Sequence, residues 1–240
     1  EGFIALQLKI VFPLQFDCLL FVLFLINDKV YLNGQNYFYF YLNKKMVDII
    51  IIGAGLSGIG VACHLRRENP DKSFLILESR AKYGGTWDLF KYPGIRSDSN
   101  MHTFAYSFQP WKKDNSFASG DEIMDYLSEA MHSYDIEKEI QYNIRVKQTS
   151  FDSTTAKWTT STINQLTGEE QIFESSLLFS CTGYYAYDEG YTPDFKGIDE
   201  YQGQIIHPQL WPENLIYKDK SVVIIGSGAT AVTLLPKLAN

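Results

Sequence analysis

The residues best suited to chemistry are two glycine-rich turns, Gly53-Ala54-Gly55-Leu56-Ser57-Gly58 and Gly226-Ser227-Gly228-Ala229-Thr230-Ala231, the second continuing into Val232. Each follows a run of β-branched residues, Ile49 to Ile52 and Val222 to Ile225, and each precedes a helical pattern. That is the context in which such a turn cradles a pyrophosphate. The first glycine permits the sharp turn out of the strand, the second lets the phosphates approach the backbone, and the third lets the helix pack closely on the sheet. The helix N-terminus then presents unpaired N–H groups and a partial positive charge. Ser57 and Thr230 can add hydroxyl donors, and Ala231 takes the place of a third glycine. Two such turns imply two dinucleotides, hence electron transfer between cofactors; the alternative is a pair of ordinary strand-to-helix turns.

Glu78 ends the apolar run Phe74 to Leu77, 20 residues past Gly58. An acidic residue there binds ribose hydroxyls and repels a 2′-phosphate, so the first turn suits FAD or NAD rather than NADP. The alternative is a solvated glutamate at a strand end.

Between the turns lies Gly84-Gly85-Thr86-Trp87, followed by Tyr92-Pro93-Gly94-Ile95-Arg96-Ser97-Asp98. Further on come Tyr201, Gly203, His207 and Trp211-Pro212. These two patterns resemble the fingerprints of the type I Baeyer–Villiger monooxygenases, the second with Tyr201 where phenylalanine is usual. The stretches 84–98, 181–212 and 221–235 look most like the ethionamide monooxygenase branch.

The resemblance implies FAD at the first turn and NADPH at the second. It also implies a cycle in which NADPH reduces the flavin, O₂ is captured as a C4a-peroxide, and one oxygen atom passes to a ketone or a sulfur. By the same resemblance Thr86, Trp87 and Leu89 line the flavin and Val146 contacts its adenine side. Arg96, Ser97 and Asp98 would approach both flavin and nicotinamide, with Asp98 and Arg96 nearest the chemistry. Gly226, Ser227, Gly228, Ala229, Thr230, Ala231 and Val232 would hold NADP. Gly203, His207 and Trp211 would lie on a linker between the nucleotide domains, where His207 serves domain movement rather than proton transfer. Each residue has a duller alternative: Trp87 as a core aromatic, Asp98 as a helix cap, Arg96 paired with Asp98, His207 as a structural histidine. Within the same chemistry, an N- or S-oxygenating flavin monooxygenase is the rival reading; from another class, the rival is a non-catalytic, truncated FAD-binding product.

The elements that must position these residues read as α/β. Asp48 to Ile52 and Phe74 to Leu77 are buried parallel strands joined by a helix over 57–67. Residues 121–133 form a second helix. Segments 140–149, 157–162 and 170–173 alternate like an antiparallel β-meander, and 176–181 return as a separate buried strand. The expected architecture is thus two Rossmann-like dinucleotide-binding units: an FAD domain over 46–185 with a meander insertion, a linker over 186–220, and the truncated start of an NADP domain over 221–240. On this reading the 240 residues alone are inactive.

Residues 1–45 differ in composition and read as an extension outside the domain. The apolar run Cys18 to Ile26, nine residues long, is too short to span a bilayer. A membrane anchor is the alternative there. A net charge of −7 and the lack of a basic run argue against nucleic acid. Three scattered cysteines without a CxxC suggest neither a redox disulfide nor a zinc site. They fit a reducing, cytoplasmic setting and small-molecule partners: O₂ with a ketone or thioether.

Overall fold

The computed structural model describes residues 44–239 and the strand backbones of 23–26 and 29–32. Four consecutive isoleucines set the centre of the fold. They close strand β3 (Lys44–Ile52), reached after a two-stranded hairpin of β1 (Leu23–Ile26) and β2 (Lys29–Leu32). Ile50 and Ile51 are fully buried, as expected of a parallel strand covered on both faces. Helix α1 (Leu56–Glu68) follows, then β4 (Phe74–Leu77), parallel to β3. The one-turn helices α2 (Thr86–Leu89) and α3 (Met101–Phe104) lead to α4 (Gly120–Ser133). A capping box of Ser119 and Glu122 starts α4, each side chain satisfying a backbone N–H of the other.

Strands β5 (Ile140–Gln141), β6 (Ile144–Asp152), β7 (Lys157–Asn164) and β8 (Glu170–Ser180) complete a six-stranded sheet of order β5-β4-β3-β8-β7-β6. The first four strands of that order run parallel, and β7 and β6 are antiparallel. On one face α1 and α4 bury Ile49, Ile51, Ile59, Ile123 and Leu127 together. Ile50, Leu77, Ile144 and Phe173 form a second cluster.

Four expectations need correction. The segment 140–149 is two strands, separated by a turn at Tyr142 and Asn143, the latter at φ 60°, and only the first pairs with β4. The third meander strand and the returning strand are one continuous strand, because Glu174 and Ser175 keep the ladder to both β3 and β7. Nor is that return wholly buried, since Leu177 is 46% exposed. Finally, Val222 to Ile225 is not a strand: Val223 is 83% exposed, and no strand of the described residues lies beside it to share hydrogen bonds. A β-strand requires a neighbour, whatever its composition. The following helix, α5 (Ala229–Leu238), forms nonetheless. It packs Leu234 on Phe90 and Tyr92.

Lys44 and Lys45, expected in the extension, open β3 opposite Ile172 and Phe173. In the apolar run, Leu23–Ile26 pairs with Lys29–Leu32; the rest of that segment lies outside the described residues. Among the described residues, no helix is long and apolar enough to cross a membrane.

Candidate functional site

The ends of β3, β4 and β8 open into one cavity of about 770 Å³, at the carboxyl edge of the parallel strands where such folds bind ligands. Gly53, Gly55 and Ser57 form one wall and Glu78 another. Helix α1 starts at this wall with Gly55 as its N-cap; it has no side-chain cap and no acidic residue in its first turn. Its free N–H groups and positive dipole end are therefore left for a ligand.

Gly53, at φ +100°, sits against the end of β8, where a β-carbon would come within 2.6 Å of the Cys181 carbonyl oxygen. Gly58 lies behind the wall; a β-carbon there would be 1.9 Å from the Gly53 oxygen, so this glycine brings helix against strand. Glu78 is 5% exposed. Its carboxylate accepts from the Ala54 N–H at 2.7 Å and the Arg80 N–H at 2.8 Å. It is thus fixed at the mouth of the glycine turn.

Thr86 and Trp87 form the next wall, with Val146 further along. Trp87 is held edge-on against Phe104, ring centroids 5.8 Å apart. Arg96, Ser97 and Asp98 line the same space. Ser97 is buried and its hydroxyl donates to the Ser99 carbonyl at 2.6 Å, while Arg96 and Asp98 are exposed and form no ion pair with each other. Asp98 is not a helix cap: Asn100 caps α3, accepting from the His102 N–H at 2.9 Å.

Ala229 and Thr230 bring the start of α5 to the cavity. This helix too lacks a side-chain cap and an acidic first turn. Its docking requires Gly94 at φ +84°, where a β-carbon would stand 2.5 Å from the Thr233 oxygen.

Other expected residues lie elsewhere. Leu89 does not line the cavity; it packs against the Phe90, Tyr92 and Leu234 cluster, because on a helix it points roughly 200° away from Trp87. Gly226, Ser227, Gly228, Ala231 and Val232 are outside the cavity walls, and Val232 is exposed. Gly203 sits under the Tyr201 ring. His207 accepts from the Gln209 N–H at 3.2 Å, and the Gln209 amide donates to the Ala186 carbonyl at 2.6 Å. Trp211 packs beside the Phe90 cluster, 6.1 Å from Tyr217. The segment from Tyr201 to Trp211 is therefore fastened to itself and to the cluster that α5 joins, and Gly203, His207 and Trp211 do not line the cavity.

Sequence reasoning missed Arg80, Asp88 and Tyr187. Arg80 donates to Asp88 at 2.6 Å and to the Gly85 carbonyl at 3.3 Å. Lys82 lies 3.0 Å and Lys91 3.7 Å from the same carboxylate. Burial pushes the Asp88 carboxyl up, but hydrogen bonds from Lys82 and Arg80 outweigh it and hold the group below its ordinary value. The available signal was one acid among three cations between Arg80 and Lys91. Tyr187 reaches across to Thr86, hydroxyl to hydroxyl at 3.3 Å. Cys181 also lines the cavity, its thiol pushed up by burial.

A glycine cradle, an uncapped helix end and a fixed carboxylate fit an adenine dinucleotide. The chain belongs to the flavin-binding monooxygenase-like family, whose model matches residues 44–240. It is 51% identical over 193 residues to the FAD-containing monooxygenase EthA of Mycolicibacterium smegmatis, covering 80% of this chain and 39% of that one. It superposes on the open crystal structure of cyclohexanone monooxygenase with a TM-score of 0.70 at 25% identity, covering 82% of this chain and 38% of that one. For the OTEMO complex with FAD and NADP the TM-score is 0.67 at 28% identity, covering 82% and 38%. The chain spans 39% of the length of the first curated relatives it matches.

Proposed function

We propose that this chain is the FAD-binding part, with the start of the NADP-binding part, of an NADPH-dependent monooxygenase that transfers one oxygen atom of O₂ to a ketone or a sulfur. The observation that carries the reading is the shared cavity: the α1 N-terminus, Glu78, Gly84 to Trp87 and Arg96 to Asp98 all face it. The N–H groups after Gly55 take the pyrophosphate, helped by Gly53 and the Ser57 hydroxyl, and Glu78 takes the adenosine ribose. Val146 covers the adenine side, and Thr86 and Trp87 flank the ring system. When bound, FAD supplies hydride acceptance and oxygen activation.

The chain's own part is to orient and to exclude water. Trp87, backed by Phe104, gives the ring an apolar wall. Arg96 and Asp98 offer opposite charges where the two nucleotides meet, and the α5 N-terminus at Ala229 and Thr230 directs N–H groups to the second dinucleotide. The domain reading stands alongside: FAD domain 46–185, linker 186–220, NADP domain from 221. With Val222 to Ile225 unpaired, the 240-residue chain binds FAD without turning over NADPH.

The test is reconstitution with FAD. The purified chain should quench flavin fluorescence and run yellow on a sizing column, with no NADPH consumption; a folded chain that stays colourless overturns the reading. Fused to the remaining segments of EthA, it should convert a cyclic ketone to an ester. A fusion that forms only sulfoxides or N-oxides from thioethers and amines supports the N- or S-oxygenating alternative.

A further inference from the structure

One residue outside the cavity holds two of the groups that line it. The Arg80 backbone N–H holds the Glu78 carboxylate at 2.8 Å. Its side chain reaches the Gly84–Trp87 turn, donating to the Gly85 carbonyl at 3.3 Å and to Asp88 at 2.6 Å. Gly85 caps α2, the turn that carries Thr86 and Trp87, with φ 56° and ψ −126°. Its carbonyl also accepts from the N–H groups of Asp88 and Leu89, at 3.2 and 2.9 Å.

Asp88 does not line the cavity, yet it is not a surface charge. Its side chain is only 8% exposed and Arg80's 24%, whereas Lys82 and Lys91 are about half exposed, at 58% and 49%. The Arg80–Asp88 pair is therefore the desolvated core of the cluster, with the lysines as its rim. A planar guanidinium bridging a carboxylate and a carbonyl fixes both distance and angle, which a lysine ammonium cannot do. On the other side the turn is stopped by α4, since a β-carbon at Gly84 would lie 2.4 Å from the Met124 sulfur. The Gly84–Trp87 turn is thus set by Met124 on one side and Arg80 on the other.

We propose that Arg80 and Asp88 are positioning residues: together they fix the spacing between the ribose carboxylate Glu78 and the Gly85–Trp87 turn, and so set the affinity and orientation of the flavin dinucleotide. This rests on the FAD reading above.

The test titrates FAD into the flavin-free chain, reading fluorescence quenching and visible circular dichroism, for wild type, Arg80→Met, Arg80→Lys, Asp88→Asn and the double variant Arg80→Met/Asp88→Asn. Wild type must bind FAD; if it does not, the cofactor reading itself has failed. Given binding, each of Arg80→Met and Asp88→Asn should raise the FAD Kd about tenfold or more and change the flavin dichroism. The double variant should be no worse than the poorer single, because the pair acts as one unit. Arg80→Lys should recover part of the affinity and not the wild-type dichroism. Should Asp88→Asn not fold, Arg80→Lys carries the test alone. Wild-type Kd and dichroism in the folded single variants, even with a lowered melting temperature, would show the pair to be structural only and overturn the proposal.

Discussion

The carbonyl oxygen of Cys181 stands 2.6 Å from where a β-carbon on Gly53 would be, and the Cys181 N–H donates to the Ile52 carbonyl at 2.8 Å. The end of β8 and the first glycine of the nucleotide turn are therefore locked face to face. Gly53→Ala must displace β8 or strain a φ of +100°, and we expect it to cost at least about 2 kcal/mol. Gly228→Ala, at φ −76° with nothing within 4 Å, should stay within about 0.5 kcal/mol of wild type. Urea denaturation of the two variants checks the contrast; equal midpoints would refute it.

Glu78 satisfies two backbone N–H groups, those of Ala54 and Arg80, inside the fold. In Glu78→Ala the nearby cavity lets water reach them only in part, so a loss of about 1–3 kcal/mol follows. FAD affinity should fall with it, while Glu78→Gln, which keeps one acceptor oxygen, should lose less of both. The measurement is a thermal melt paired with a flavin titration of each variant. An alanine variant that melts and binds like wild type would contradict the role given to Glu78.

Asp48, in the middle of β3, ties that strand to the approach of β4. Its carboxylate accepts from the Ser73 N–H at 2.9 Å and the Ser73 hydroxyl at 2.8 Å. Those bonds, the backbone one foremost, hold its carboxyl below its ordinary value. Because the folded pKa is the lower one, the contribution is present above the unfolded value of about 3.9 and disappears as pH falls through the folded value. Asp88, lowered in the same direction, adds to that acid loss. We expect urea midpoints to drop below about pH 4, with a shallower drop in Asp48→Asn; parallel curves would exclude the tie.

The parts of the fold legible in the sequence were those encoded locally. Ile49 to Ile52, the glycines and Phe74 to Leu77 specify strand, turn and strand within about thirty residues, as such a unit should. Val222 to Ile225 carries the same local code, yet forms no strand, because pairing depends on a neighbour that no local pattern reports. The break read between Phe173 and Ser176 arose from a polar pair, Glu174-Ser175; Ser175 is in fact buried between Val47 and Trp158 in the ladder. At the site, residues with a glycine or tryptophan signature were visible, whereas Arg80 and Asp88 were not. Their meaning lies in a contact made across the chain's fold-back, not in a spacing.

Strand β8 carries the β6–β7 hairpin and the central sheet on one uninterrupted backbone. Length changes during divergence therefore belong in the reversals at 153–156 and 165–168. Gly168 there has empty space around it, and exposed tips absorb insertions at little cost. A cut placed at Glu174 or Ser175 would instead sever the spine that carries the hairpin's anchorage to the nucleotide-facing rim at Cys181.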